Sequence, residues 1–302
     1  MAERYDQLEW VGGGGYADVY KTLDTWTGLI VAKKVLRVKS PDNVRRFKRE
    51  RDRLAAYRMN PYVVNLLDDD LDAAYPYLIL EYSELGSLQQ YVKNRRDWKQ
   101  VVRWMRDIAQ GLAPIHAGGH WHRDIKPSNI LLFKDAAGNV AAKITDFGLA
   151  PKTEDSSGPI TNSPHGTKGY IDPIATLTGN YTSHSDIYSL GRTLQELLTG
   201  DRDSSNYSND VPVKLRFLIG RMMNWNRESR PTVEEICQAA KELLQPQPVT
   251  VPVQAKPPGL SEWVTGFALL LGTVALATAN SYDSEVGRYR GRDGKFRTGR
   301  WG

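Results

Sequence analysis

Apolar positions alternate with polar ones over short stretches early in the chain and recur at helical spacing later. Leu8-Glu9-Trp10-Val11, Val19-Tyr20-Lys21 and residues 29–38 read as strands, with turns at 12–15 and 27–28 between them. Such a pattern predicts a meander. Residues 41–59 are charged but carry spaced apolar positions at Val44, Phe47 and Leu54, as an amphipathic helix does. Another strand falls within 75–82. From Ser87 onward helical periods dominate, over 87–96, 98–117, 182–199, 211–224 and 232–244. Strands first and helices later predict an α+β protein with a small sheet lobe and a larger helical lobe.

The alternation stops near residue 245. Residues 246–260 hold five prolines and few charges, which cannot propagate a helix and read as a semi-rigid linker, here taken as 246–262. Residues 263–282 contain no charged side chain and are bracketed by Glu262 and Asp283. Twenty helical residues span about 30 Å, the thickness of a bilayer core, so the run predicts one transmembrane helix. The alternative is a buried or interfacial helix, because Thr265, Gly266, Gly272, Thr273 and Thr278 dilute its hydrophobicity. In the tail, 283–302, Arg288, Arg290, Arg292, Lys295, Arg297 and Arg300 outnumber Asp283, Glu285 and Asp293.

With 302 residues, 40% hydrophobic and 25% charged, the chain has ordinary globular usage, which excludes wholesale disorder. Its one cysteine, Cys237, excludes an intrachain disulfide and reads as a small buried hydrophobe in a reducing compartment. The excess of 40 Lys and Arg over 35 Asp and Glu is too mild to argue for nucleic acid. No apolar run follows a basic stretch at the N-terminus, so no secretory signal is expected.

Three motifs carry chemistry. Val11-Gly12-Gly13-Gly14-Gly15-Tyr16-Ala17-Asp18-Val19 joins two strands, and glycines let backbone approach a phosphate closely. It precedes a strand rather than opening a helix, which argues against a dinucleotide site. Lys34, in Val31-Ala32-Lys33-Lys34, sits in an apolar strand where a lysine needs an anionic partner, and the helix at 41–59 offers Glu50. The strongest signal is His122-Arg123-Asp124-Ile125-Lys126-Pro127-Ser128-Asn129 followed by Asp146-Phe147-Gly148. Phosphoryl transfer needs such a set: a base for the acceptor hydroxyl, a cation beside the moving phosphoryl, and oxygen ligands for Mg²⁺.

Over residues 8–245 the chain resembles the protein kinase superfamily, and Lys126 resembles its serine/threonine branch. The resemblance implies a bilobal kinase fold and a catalytic domain over 1–245. It implies Asp124 as catalytic base with Lys126 its cationic neighbour, and Asn129 and Asp146 as ligands of Mg²⁺, or alternatively Mn²⁺. Lys34 would contact the α and β phosphates of ATP, clamped by Glu50. The nucleotide-contact set it implies is Val11, Gly12, Gly13, Gly14, Gly15, Val19, Ala32, Lys34, Glu50, Glu81 and Ser83. Within Leu80-Glu81-Tyr82-Ser83, the gatekeeper and hinge by resemblance, the Glu81 carbonyl and the Ser83 N–H should meet adenine. Asp186 and Gly191 match the segment that braces the catalytic loop, and Arg230 the late arginine of the large lobe. The span from Asp146 to Ile174 resembles an activation loop. It includes Thr161 and Ser163 as phosphosite candidates and Thr167 as a brace for Asp124 and Lys126.

Two positions depart from the family pattern. Ala17 replaces the third loop glycine, a familiar exchange. Ile174, in Asp172-Pro173-Ile174, stands where the family has a glutamate that pairs with the late arginine. Asp172 or Glu228 could replace it. That departure is the only ground for a rival reading, a membrane-tethered pseudokinase scaffold. A small-molecule kinase of the aminoglycoside type leaves the Gly166-Thr167 segment unexplained.

His116, His120 and His122 could suggest zinc, but Gly118-Gly119 interrupt the helix that would align them. The basic run 45–53 reads as the solvated face of a helix rather than a nucleic-acid patch, and Trp98 and Trp104 as packing residues. The expected partners are therefore ATP, Ser/Thr-bearing proteins and a membrane reached through 263–282, with a homodimer for autophosphorylation in trans. A kinase, a proline-rich linker and one span resemble bacterial receptor-type kinases, although only a short tail follows. Basic residues favour the cytoplasmic side, so the tail argues equally for a peripheral anchor, with the kinase domain cytoplasmic either way.

Overall fold

A computed structural model describes residues 4–135, 137–147 and 167–245, and short backbone stretches at 282–283, 288–290 and 296–297. The chain divides into two compact units, Met1–Gln245 and Pro246–Gly302.

The first unit opens with strands β1 (Tyr5–Gly13), β2 (Ala17–Asp24) and β3 (Leu29–Leu36), then helix α1 (Pro41–Ala56), then β4 (Leu66–Asp70) and β5 (Tyr77–Glu81). The strands form one antiparallel sheet in the order β1-β2-β3-β5-β4. Side chains alternate across it. Ala32, Leu36, Leu78 and Leu80 join the main core, while Val31, Ile79 and Tyr5 form a small cluster on the opposite face. Lys34 shares the face of Ala32 and Leu36, and Lys33 that of Val31, which is why Lys34 is the lysine turned toward α1. Ser40 caps α1 by accepting the Asn43 N–H at 3.2 Å, with Pro41 in the first turn. The buried positions of α1 are Phe47, Glu50 and Leu54, one face at helical spacing.

Helix α2 (Trp98–Ala117) runs through the larger lobe and buries Val101, Met105, Ile108, Leu112 and Ile115. It ends at Gly118, and Gly119 takes a left-handed φ of 69°. The hairpin β6 (Ile130–Lys134) and β7 (Val140–Ile144) packs on α2, where the Asp107 carboxylate accepts the Ala142 N–H at 3.2 Å. Helices α3 (Pro173–Thr178), α4 (Ser183–Thr199), α5 (Val213–Met222) and α6 (Val233–Leu244) complete the lobe. The order of strands and helices matches the two-lobed expectation.

Some elements differ from their sequence expectation. The helix expected over 87–96 is a single 3₁₀ turn, Leu88–Tyr91. One turn suffices to bury Leu88 and Val92, after which the chain peels away to the C-terminal end of α4. There Arg95 Nε donates to the Thr199 carbonyl at 3.3 Å and the Arg96 N–H to the Leu197 carbonyl at 3.0 Å. Strand β4 has no sequence counterpart, because its Asp68-Asp69-Asp70 run hides the strand signal. Tertiary partners explain part of it: Asp68 accepts from Arg4 Nη1 at 2.8 Å and from the Tyr5 hydroxyl at 2.5 Å. Cys237 is half-buried on α6 rather than fully enclosed.

The described residues of the second unit form three short antiparallel strands, Tyr282–Asp283, Arg288–Arg290 and Phe296–Arg297, in the tail expected to be merely basic. The expected membrane helix lies outside the described residues but for Tyr282, and no described helix is long and apolar enough to cross a membrane.

Candidate active site

The glycine loop is the β1–β2 hairpin, where Gly12 pairs with Val19 and Gly13 with Asp18. The Gly14 N–H closes the turn on the Ala17 carbonyl at 2.8 Å. None of the four glycines has a positive φ. A Cβ at Gly12, Gly14 or Gly15 would meet open space, so what glycine provides here is clearance above the backbone. Val11 is exposed on β1, Val19 half-buried on β2 and Ala32 buried on β3, beneath this loop's strands.

Lys34 and Glu50 meet as their faces predict. Lys34 Nζ donates to Glu50 Oε1 at 2.6 Å and lies 3.5 Å from Asp146 Oδ1. Burial alone would lower the ammonium's pKa, but Asp146 and Glu50 outweigh it and raise it above its ordinary value. The lysine therefore stays charged.

Asp124 lies at the centre of a dense set of contacts. Lys126 Nζ donates to its Oδ2 at 2.6 Å and to the Thr167 hydroxyl at 2.6 Å. The Thr167 N–H and hydroxyl both reach Asp124 Oδ1 at 3.0 Å. The Asn129 amide donates to the Asp124 carbonyl at 2.9 Å and to Oδ2 at 3.0 Å. The amide's hydrogens are thus taken, which turns its oxygen to other uses. Thr167 was expected as a brace, and this is where the structure puts it.

The loop holding Asp124 is strained and braced. Arg123 and Asp146 are non-glycine residues with left-handed backbones, φ 70° and 67°. Asp186, buried on α4, accepts the Arg123 N–H at 2.8 Å, the His122 N–H at 2.9 Å and His116 Nε2 at 2.9 Å. His122 Nε2 donates to the Thr145 carbonyl at 3.0 Å, and its Nδ1 accepts the Asp124 N–H at 3.3 Å. The Phe147 ring is buried 4.8 Å from that of His122 and 6.4 Å from that of Tyr57. Burying Phe147 this way leaves the Asp146 carboxylate on the Lys34 side.

The three histidines do structural work. His120 Nδ1 pairs with the Tyr57 hydroxyl at 2.9 Å, and no cluster of three or more His, Cys, Asp or Glu residues able to hold a metal exists among the described residues. Among the described residues the donors offered to a cation here are the Asp146 carboxylate and the Asn129 amide oxygen, which also accepts from the Ser128 hydroxyl at 3.4 Å. These are hard oxygen donors, and Mg²⁺ binds through one or two carboxylates with substrate phosphates completing its shell. The donor set fits.

Sequence reasoning placed Glu81 and Ser83 at the hinge but missed their side-chain partners. Glu81 uses its side chain as well as its backbone: Lys143 Nζ of β7 donates to both carboxylate oxygens at 2.8 and 2.7 Å, and the Asn65 N–H to Oε1 at 2.7 Å. The Ser83 hydroxyl reaches the Leu132 carbonyl of β6 at 2.6 Å. Neither cross-lobe contact has a local sequence signal.

The doubt over Ile174 resolves at Asp172. Arg230 does not lack a partner: Nη1 and Nη2 donate to Asp172 Oδ2 and Oδ1 at 2.9 and 3.0 Å. Arg227 adds Nε and Nη2 at 3.0 and 2.9 Å. Glu228, the other acid weighed, is exposed and takes no part. Thr161 and Ser163 lie outside the described residues.

Known proteins are similar to this chain. A family model for the protein kinase domain matches residues 5–241. Serine/threonine-protein kinase PrkC of Bacillus subtilis is 35% identical over 244 residues, 78% of this chain and 37% of that protein. Serine/threonine-protein kinase PknB of Mycobacterium tuberculosis is 32% identical over 228 residues, 72% of this chain and 35% of that protein. A plant relative, probable serine/threonine-protein kinase PBL28 of Arabidopsis thaliana, is 37% identical over 208 residues, 64% of this chain and 53% of that protein. The chain therefore spans well under two thirds of each relative's length.

Proposed function

The chain belongs to the protein kinase family, on its serine/threonine branch, and from that premise we propose that it transfers the γ-phosphoryl group of ATP to serine or threonine hydroxyls of proteins. The observation that carries this reading is the Asp124 carboxylate held by Lys126, Thr167 and Asn129 at 2.6 to 3.0 Å. A carboxylate fixed in that way can orient an incoming hydroxyl and accept its proton. Lys126 sits beside the position where charge develops on the moving phosphoryl, and electrostatic stabilisation there is the main catalytic contribution in such reactions.

In this reading Lys34 holds the α and β phosphates beneath the open glycine loop, and the hinge backbone at Glu81 and Ser83 meets adenine. Asp146 and Asn129 would hold Mg²⁺, with Mn²⁺ as an alternative; the ion, when bound, offsets phosphate charge. The rival scaffold reading stood on Ile174 alone, and the Asp172–Arg230 pair removes that ground.

We also propose a membrane-associated location, supported by the uncharged run 263–282 and the basic tail. Autophosphorylation in trans would follow if such tethered copies meet. Cell fractionation with carbonate extraction separates the versions: a spanning chain stays in the pellet, a peripheral one is released, and recovery in the untreated soluble fraction overturns both.

Label transfer from γ-labelled ATP by the full chain tests the activity, beside Asp124→Asn. Label on Ser or Thr in the parent and none in the variant is the expected result. Equal label in both would remove Asp124 from the role.

A further inference from the structure

Position 172 is two residues short of the place where a kinase of this branch is expected to carry its anchoring acid. We propose that Asp172 is the positioning residue for the segment 167–172, and that it holds Thr167 against the catalytic carboxylate. The inference rests on the kinase reading above.

Asp172 is 1% exposed, yet its carboxylate receives donors from three places. Arg230 and Arg227 both reach it from the segment ahead of α6. The Ser185 hydroxyl of α4 donates to Oδ2 at 3.0 Å. The Ile174 N–H donates to Oδ1 at 3.0 Å, so the same group caps α3. One carboxylate therefore starts a helix, faces two guanidinium groups and ties the loop to α4.

Five residues earlier Thr167 makes its two bonds to Asp124. Between these fixed points the Gly169 carbonyl accepts Arg192 Nε at 3.0 Å, and the Tyr170 hydroxyl bonds Glu196 of α4. The segment is thus bound at both ends and in the middle, and among the described residues Asp172 is the point where it meets opposite charges, those of Arg227 and Arg230. Without that carboxylate, Arg230, whose side chain is wholly buried, would face the loop uncompensated. The loop would have to move, and Thr167 with it.

Ile174 lies in the first turn of α3 beside this pair and is only partly buried. A longer acid placed there could take over Arg230 and Arg227 while a small residue replaces Asp172. That exchange separates a positional role from mere packing.

The experiment uses the full chain, γ-labelled ATP and dephosphorylated casein as the acceptor. The variants are Asp172→Asn and the double variant Asp172→Ser with Ile174→Glu. For Asp172→Asn the expected result is a loss of about tenfold or more in kcat/KM for casein, with nucleotide affinity within about twofold. Hydrogen exchange at the Thr167 amide should speed up in the same variant. The double variant should recover casein phosphorylation to within about threefold of the parent. Asp172→Asn working at the parental rate would overturn the proposal. So would a double variant that fails to fold or recovers nothing. If the parent itself transfers no label, the kinase reading fails, and the Thr167 exchange rate still decides the anchor: unchanged exchange in Asp172→Asn sinks it.

Discussion

At the residue scale the site is a relay of short polar contacts. It runs from Glu50 through Lys34 to Asp146, and from Asn129 through Asp124 to Lys126 and Thr167. The Thr145 N–H, bonded to the Asn129 carbonyl at 3.0 Å, joins the two halves. Glu50, Lys34 and Asp124 have little water around them, whereas the Asp146 carboxylate is partly exposed, so single replacements at the buried links leave orphans. Lys34→Met strands Glu50, which is 0% exposed. Breaking such a buried pair costs about 3–5 kcal/mol, which urea denaturation should read. Replacing both, Lys34→Met with Glu50→Leu, should restore most of that stability and none of the transfer activity. Asp124→Asn should act on the chemical step instead. General-base losses run about 10²–10⁴-fold in kcat, and nucleotide binding should be unaffected in a binding titration.

At the scale of elements, capping and buried carboxylates set the local stability. Ser40 satisfies an N–H that α1 cannot satisfy itself. Ser40→Ala should cost about 0.5–2 kcal/mol in a denaturant titration. Because α1 carries Glu50, transfer should fall with it. Asp172 and Asp186 anchor loops to α4, and both carboxyls sit below their ordinary value. Burial alone would raise each. At Asp172 the bonds and charge of Arg230, helped by Ser185 and Arg227, outweigh it; at Asp186 those of His116 do. A carboxyl depressed on folding binds fewer protons folded than unfolded, so stability rises with pH across the interval between its two values. The contribution is complete above about pH 5 and is lost as the pH falls through the folded values. Melting temperatures followed from pH 7 downward should drop steeply below about pH 4 in the parent. The Asp172→Asn variant, weaker at neutral pH, should drop less.

At the scale of the molecule, the first unit's lobes are joined by more than the connecting chain. Lys143 of the large lobe holds Glu81 of the small one, and Ser83 is bonded to β6. The Glu81–Lys143 pair is partly exposed, so solvent screens it: Lys143→Ala should cost about 1 kcal/mol or less in overall stability. Its larger effect should be local, as faster amide exchange over residues 82–86. Because residues 1–245 form a compact unit of their own, a chain ended at Gln245 should melt at the temperature of the full chain. A marked drop would mean that the second unit supports the first.

The elements that carry the site were legible in sequence because local rules govern them. Alternation across β3 turns Lys34 inward, and helical spacing puts Glu50 on the same face as Phe47 and Leu54. The dense cluster from His122 to Asn129 is read in one stretch, since its members are bound to each other through a single tight loop. Helices α2, α4, α5 and α6 followed from apolar periodicity. What sequence could not settle depends on groups far apart along the chain. The acidic run in β4 looks like a loop until Arg4 and Tyr5 are seen to receive Asp68. Residues 87–96 carry a helical pattern, but the α4 carbonyls compete for Arg95 and Arg96. The partner of Arg230 is the clearest case. Glu228 is a close sequence neighbour of Arg230 and Asp172 lies 58 residues away, and the choice turned on which side chain the fold buries. Burial makes a charge seek a partner, and which charges are buried together is decided only when the whole chain has packed.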